Sequence, residues 1–512
     1  MGGAAAIAAI PWLRAQGAPP CAKPNIAFVG VGHRGRDVFF QFWYYRDMFN
    51  VAALCDVHMD GPHTRQVLEA CPGAPRYADV RKMFDERGRS IDAVVVCTPD
   101  FSHFPAVMLA IMNRKAVFVE KPMCNTFRET AIMTAAAAKY GVVTQMGNQG
   151  HSEANYWQMR QLVADGNMKG IVAVDAWMCS ERRWHKWRGV EMTEMPGGET
   201  PPPGLDWNLW LSQRPERSYS HNYVDGEWRS FYEYGTGSLG DWGAHLFDAA
   251  HEFLRLGLPA RIETVRNEGR TKVVYPMAST TTFVFPARGP DLPECRLTWY
   301  DGIGNFPKFP DKLSNPKWKP GANGAMLRAA DGRVFARGSH GSPLFPIAGL
   351  DPQDSDVKHM IRDYPRKKSG HYLNFLKAIL GEEKPNSPFS VAGPLSQVLA
   401  LGALAQRLAV PSLEFDRVKC RFTGPGATEA NACLDGPPPR KEWEFLYEDR
   451  PCNAYPEQGP GALADAAGLG CRGRGLRRGG DGRDFRRQRT IEGARPRGPP
   501  SRRVDPRRRL GP

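Results

Sequence analysis

Short, continuous apolar runs alternate with helical stretches of 10–15 residues through the first third of the chain. Asn25–Gly30 (NIAFVG), Val51–Asp56 (VAALCD), Asp92–Thr98 (DAVVVCT), Ala116–Glu120 and Val142–Gly147 read as buried strands, with a short segment ending at Tyr77. Helical patterns fill the gaps: through about Arg46, near Gly61–Ala70, from Asp79, over Ser102–Asn113 and over Thr126–Lys139. Such strands separated by helices predict a parallel sheet covered on both faces. Further along, Ile262–Val265, Thr280–Phe285, Arg296–Tyr300 and Ser412–Phe415 read as strands, and His371–Leu380 and Pro394–Leu408 as helices. Residues 303–368 are rich in Pro, Gly and Lys and read as long loops over a site or at an interface. No internal repeat is found.

At 512 residues and 42% hydrophobic content the chain is large enough for more than one domain. No run of apolar residues reaches the roughly 18–20 that a membrane span needs, so no membrane partner is expected. Eleven scattered cysteines without a C-x-x-C pair argue against a zinc ribbon or a dense disulfide framework. The net charge of +14 suggests nucleic acid until it is located. Residues 461–512 hold fifteen arginines against five acidic residues, a net +10, so the first 460 residues are close to neutral. Nucleic acid is therefore not expected as a partner of the body of the protein. The Arg/Gly/Pro-rich segment 451–512 reads as a disordered tail. It is either a basic RG-type extension, a plain disordered one, or, the reading we favour, the out-of-frame product of a GC-rich gene. Residues 1–23 (MGGAAAIAAIPWL, then a Pro-rich link) resemble an export signal without its charged start. Periplasmic export is expected if that segment works, and a cytoplasmic location otherwise; a disordered arm is the alternative.

Gly30-Val31-Gly32-His33-Arg34-Gly35 is a G-x-G-x-x-G pattern where the first strand turns into a helix. Glycines there permit a tight turn, close approach of backbone N–H groups to a pyrophosphate, and close helix–strand packing. Asp56 ends the second strand 21 residues after Gly35, where a carboxylate can accept hydrogen bonds from ribose hydroxyls. It would repel a 2′-phosphate, so NAD(H) is expected over NADP(H), with His58 and Arg65 as nearby cations.

Cys97-Thr98-Pro99-Asp100-Phe101-Ser102-His103 ends one strand and Glu120-Lys121-Pro122 the next. Gly235-Thr-Gly-Ser-Leu-Gly-Asp241-Trp-Gly-Ala-His245-Leu-Phe-Asp248 follows later. Together these resemble the glucose–fructose oxidoreductase/inositol dehydrogenase/MocA (Gfo/Idh/MocA) family over about residues 24–450. The resemblance implies an N-terminal Rossmann dinucleotide-binding domain (24–148). It also implies a C-terminal α/β domain (149–450) with a large, open, mostly antiparallel sheet that often makes homo-oligomer contacts. It places Thr98, Pro99, His103, Glu120, Lys121 and Asn148 with the glycine loop and Asp56 as cofactor contacts. It assigns His245 as acid/base, Asp241 as its orienter or a substrate-hydroxyl acceptor, and Lys121 as the polarising cation.

The chemistry agrees. Oxidising an alcohol by hydride transfer needs a base for the hydroxyl proton and a cation near the developing alkoxide. Asp241 and His245, four apart, share one helix face, and a carboxylate beside an imidazole favours a pKa near neutrality. No metal is expected; a His245/His251/Asp248 site is the weak alternative. Gln145, Asn148, Gln149, His151 and Ser152 are polar residues at the domain junction, free to touch ligand or to be satisfied locally. Eight of thirteen tryptophans fall between Trp157 and Trp242, among Tyr219, Tyr223, Tyr232 and Tyr234, as a sugar pocket or a core would require. Trp207, Tyr234, His221 and Arg229 are candidate substrate contacts. The expected activity is NAD-dependent hydride transfer to or from a hydroxyl of a sugar, polyol or sugar derivative. The alternatives are a glycosidase that uses NAD transiently and a non-catalytic ligand sensor on the same fold.

Overall fold

The computed structural model describes residues 23–179, 192–314, 318–351, 354, 357–358, 369–408 and 410–448. The signal-like segment and the basic tail lie outside the described residues, apart from Lys23.

The first sheet comprises β1 (Asn25–Val29), β2 (Asn50–Cys55), β3 (Arg76–Tyr77), β4 (Ala93–Val96), β5 (Ala116–Val119) and β6 (Thr144–Met146). All neighbours are parallel, in the order β3-β2-β1-β4-β5-β6. Every residue of β4 and β5 is buried, which is why these strands read as unbroken apolar runs. The chain leaves β1 toward β2 on one side and reaches β4 on the other. A crevice for ligand opens at that reversal, at the carboxyl ends of the strands.

The second sheet has nine strands: β7 (Ile171–Met178), β8 (Arg261–Glu268), β9 (Ala278–Phe285), β10 (Cys295–Asp301), β11 (Asn323–Ala329), β12 (Val334–Arg337), β13 (Phe345–Ala348), β14 (Ser412–Asp416) and β15 (Arg421–Thr423). Their order is β13-β12-β11-β7-β10-β9-β8-β14-β15, and only β7 with β10 is parallel. The fold is thus the expected α/β pair: a parallel Rossmann sheet and a mixed, mostly antiparallel one.

Residues 303–368 are not all loop, because β11, β12 and β13 fall within them. These strands are short, and β11 carries Gly324, whose missing side chain leaves room for the Trp177 ring; a Cβ would lie 2.5 Å from it. Phe309, Leu313 and Trp318 of the same stretch fold over Trp177, Met326, Val334, Ala336 and Ile347 on the outer face of the sheet. On β8 and β10 that face is polar instead, with Glu263 bridging Arg261 at 2.9 Å and Arg296 at 2.5 Å.

Helix Phe389–Arg407 starts five residues earlier than expected, so Pro394, a residue type that favours first turns, sits inside it. It is apolar and long enough to cross a membrane, yet 89% of its most apolar window is buried in the protein. Helix His371–Ile379, from late in the chain, packs behind the first sheet. Phe375 is fully buried, its ring centroid 5.6 Å from Phe118 and 6.1 Å from Phe42. Phe375→Ala should therefore destabilise the protein by about 3–5 kcal/mol, as buried Phe truncations do. Denaturant unfolding checks this, and a change under 1 kcal/mol would mean the helix adds little to that core.

Candidate cofactor and substrate cleft

The crevice is a cleft of about 810 Å³. At one end lies the glycine loop, shaped by positions no larger residue can fill. Gly30 has φ +78°, and a Cβ there would lie 2.8 Å from the backbone of Cys97 and Thr98. A Cβ on Gly35 would lie 1.9 Å from the Gly30 carbonyl oxygen, so helix His33–Trp43 can pack this closely only on glycine. Asp56 locks the loop to the end of β2. One carboxylate oxygen accepts from the Val31 N–H at 2.9 Å and the other from the His58 N–H at 3.0 Å. Burial opposes its charge, but the His63 ring 3.8 Å away and the hydrogen bonds from these two amides outweigh that and hold its pKa below the usual value. His63 stacks on His33 with ring centroids 5.0 Å apart, and His33 Nε2 lies 3.0 Å from Asp225 of the second domain. His58 is 3.1 Å from the Pro203 carbonyl, whereas Arg65 pairs with Glu69 away from the cleft.

Gly30, Gly32, His33, Arg34, Asp56, Thr98, Pro99, His103, Glu120 and Lys121 all line the cleft; Gly35 and Asn148 do not. Arg34 donates to Glu120 at 2.9 Å, placing an ion pair on the floor. His103 sits between the carbonyls of Thr98 (2.8 Å) and Pro122 (3.0 Å). Burial lowers its pKa to about 4, so the neutral ring donates to only one of them. It braces the loops after β4 and β5. The Thr98 hydroxyl is buried without a hydrogen-bond partner, as expected of a group awaiting a ligand; both amide atoms of Asn148 are also unpaired, but outside the lining of the cleft. The glycine cradle and the unpaired Thr98 hydroxyl fit a dinucleotide.

The other end of the cleft holds a charged group joining both domains. Lys121 Nζ, beyond β5, lies 2.5 Å from the Asp241 carboxylate and donates to the Asp241 carbonyl at 3.0 Å. Asp241 lies on helix Gly237–Leu246, and Arg229 approaches its carboxylate to 3.9 Å. His245, one turn on, does not line the cleft and is only 5% exposed. Its Nδ1 is unpaired, and the His340 ring lies 4.5 Å away. The neutral-range pKa expected for it is not found. Burial, then Lys121 and His340, push the imidazole well below its ordinary value, and Asp241 only partly opposes them. The sequence pairs Asp241 with His245; the fold gives that carboxylate to Lys121, which comes from the other domain.

Several junction residues are satisfied locally. Gln145 donates to the His371 carbonyl at 2.8 Å, His151 lies 2.8 Å from Asp248, and Ser152 bonds His371 at 2.7 Å. Among the described residues no cluster could hold a metal, and His251 faces the Gly257 carbonyl instead. Trp207 stacks on Trp210 at 4.5 Å and, like the buried Tyr234, belongs to an aromatic core. The aromatics that line the cleft are Trp210, Tyr219, Trp228 and Trp443, joined by His221 and Arg229. Asp100 also faces it, buried at 4% exposed. Sequence reasoning gave Asp100 no role; its place just beyond a strand's carboxyl end was the available signal. His340 comes from the stretch read as loop and carried no signal.

Two family models match the chain: "Oxidoreductase family, NAD-binding Rossmann fold" over residues 24–148, and "Oxidoreductase family, C-terminal alpha/beta domain" over 153–265. The 2,7-anhydro-N-acetylneuraminate hydratase of Escherichia coli (strain K12) is 25% identical over 34% of this chain and 45% of its own length. The scyllo-inositol 2-dehydrogenase (NADP(+)) of Bacillus subtilis (strain 168) is 24% identical over 31% of this chain and 34% of its own. The chain thus spans less than half the length of these curated relatives. In fold it is similar to the WlbA dehydrogenase of Bordetella pertussis, solved with NADH and UDP-GlcNAcA. The TM-score is 0.53 at 13% identity, covering 77% of this chain and 99% of that one. The glycine cradle, the strand-end carboxylate and the two sheets converge with these matches: the chain belongs to the Gfo/Idh/MocA oxidoreductase family, with an N-terminal NAD-binding Rossmann domain and a C-terminal α/β domain.

Proposed function

We propose that the protein is an NAD-dependent oxidoreductase that moves hydride between a hydroxyl of a sugar, polyol or sugar derivative and the nicotinamide ring. One observation carries the reading: a single cleft has a dinucleotide cradle at one end and a Lys121–Asp241–Arg229 charge cluster at the other. When bound, the cofactor supplies the hydride acceptor. Lys121 is the cation that polarises the substrate oxygen, and Asp241 holds it in place. His245, kept neutral behind them, is in the form that can take a proton. Trp210, Trp228 and Tyr219 offer aromatic faces to a sugar ring. The relative acting on inositol and the fold neighbour solved with a sugar nucleotide support this substrate class. Self-association through the second sheet would use its polar β8–β10 face, since Phe309, Leu313 and Trp318 cover the part built on β7 and β11–β13. A panel of sugars, polyols and aryl glycosides, read for absorbance at 340 nm and for aglycone together, tests the activity. Aglycone release without net NADH would select the transient-oxidation glycosidase, and silence across the panel alongside tight ligand binding would favour a sensor.

Asp56 should make NAD(H) bind at least about tenfold more tightly than NADP(H), about 1.4 kcal/mol. Asp56→Ser should weaken NAD and narrow that gap, and calorimetry showing equal wild-type affinities would refute the assignment.

His245→Ala should lower kcat by about 10²–10⁴-fold with NAD affinity nearly unchanged. Lys121→Ala should lower kcat and weaken NAD as well. Asp241 raises the pKa of His245, so Asp241→Asn should move the acidic limb of the pH–rate profile to lower pH. Near-wild-type turnover of a folded His245→Ala would remove that residue from the chemistry.

A further inference from the structure

Asp100 is a buried carboxyl of the cleft that these roles leave unused. It lies just past β4 and lines the same cleft as Lys121 and Asp241. In a Rossmann sheet the adenosine half lies toward β2, which places the nicotinamide half on the β4–β5 side. The Thr236 hydroxyl donates to the Asp100 carboxylate at 2.8 Å. Arg229 and Lys121 favour its ionised form, while Asp241 opposes it; Tyr275 lies on the buried side. Among the described residues no arginine or lysine lies within ion-pair distance of it, unlike Asp241 and Glu120. It is a buried carboxyl balanced between opposing fields, lining the cleft in which a nicotinamide would sit.

We propose that Asp100 holds the proton released when the substrate alcohol is oxidised, gaining it as the nicotinamide loses its positive charge. The inference rests on the nicotinamide reading of the cleft. In the balanced step the substrate carbon gives its hydride to the oxidised ring and becomes a carbonyl carbon. The hydroxyl proton, taken first by the neutral His245 behind Lys121, passes on and ends on the Asp100 carboxylate. The products are the carbonyl compound, the reduced cofactor and a neutral Asp100 carboxyl, and no further reactant is needed. Charge within the cleft is conserved, because the positive ring and the negative carboxylate disappear together. A low-dielectric site favours such paired neutralisation over leaving one buried charge alone.

The corollary needs no substrate. Burial raises the Asp100 pKa to about 7, so near neutral pH the carboxyl is partly protonated. A cationic ring nearby favours the carboxylate, so NAD+ binding should expel a proton; NADH, with a neutral ring, should not. Titration calorimetry of the intact protein with NAD+ and with NADH, each in buffers of different ionisation enthalpy from pH 6 to 8, reads the protons exchanged. Both cofactors carry the same pyrophosphate, so proton changes caused by binding that group cancel in the difference. The expected result is about half a proton more released with NAD+ than with NADH near pH 7, and no difference in Asp100→Asn. Thr236→Val removes a hydrogen bond that favours the carboxylate, so the pH at which the difference peaks should rise. It serves as the deciding variant if Asp100→Asn does not fold. Equal proton exchange for the two cofactors in wild type overturns the proposal. So does a difference that survives in Asp100→Asn, or an unmoved peak in Thr236→Val. Failure of both cofactors to bind would instead overturn the nicotinamide reading, and this inference with it.

Discussion

The ion pair between Lys121 and Asp241 is the constraint on which the cleft depends. Both side chains are nearly buried, at 12% and 10% exposed, and come from different domains. A buried ammonium or carboxylate is tolerable only when paired, and stranding either one typically costs about 3–5 kcal/mol. The pair therefore fixes the carboxyl end of β5 against helix Gly237–Leu246, and the electrostatics of the neighbours follow. The ammonium suppresses protonation of His245 and favours ionisation of Asp100; the carboxylate does the reverse to each. One contact thus sets the joint between domains and the field in which protons move.

A second buried cluster keeps the loops that carry these groups from shifting. Glu129, on the helix after Lys121-Pro122, accepts two hydrogen bonds from Arg214, at 2.9 and 3.1 Å, and a third from the Tyr447 hydroxyl. Arg214 also donates to Asn125 at 2.7 Å, and Gln213 donates to the Phe101 carbonyl at 2.5 Å. Burial alone would raise the Glu129 pKa, yet Arg214 and its hydrogen bonds bring it down to about 2. The segment around 206–214 therefore grips both the residue next to Asp100 and the turn beyond Lys121. A buried network with this many hydrogen bonds holds what it touches, although Gln213 Oε1 and Arg214 Nε find no partner in it. A proton-transfer site needs its donors held to fractions of an ångström.

What the sequence discloses follows from how local each signal is. The parallel sheet is legible because a strand buried on both faces must be apolar throughout, as β4 and β5 are. The glycine loop is legible because sterics fix Gly30 and Gly35 within six residues. The second sheet is only partly legible. Its β7 owes its burial to covering residues such as Phe309 and Trp318, far away in sequence, β11–β13 share that cover, and polar residues such as Asp175 and Arg328 satisfy one another there. Asp241 and His245 share a helix face, so pairing them is the natural local inference. The partner that Asp241 takes lies 120 residues away, and no local pattern encodes that choice.

Asp56 shows how a correctly identified residue can carry two duties. The strand-end carboxylate is expected to meet a ribose, and it lines the cleft there. Each of its oxygens nonetheless already accepts a backbone N–H, one from the glycine loop itself. An ionised carboxylate has about four lone-pair directions, so these bonds leave room for two hydroxyls. The same anion that would receive the ribose thus sets the position of Val31, and through it the turn that receives the pyrophosphate. Preference for the cofactor and the shape of its cradle are then not separable properties of this chain. Any change at Asp56 acts on both, because the carboxylate that repels a 2′-phosphate is also the acceptor that holds the loop closed.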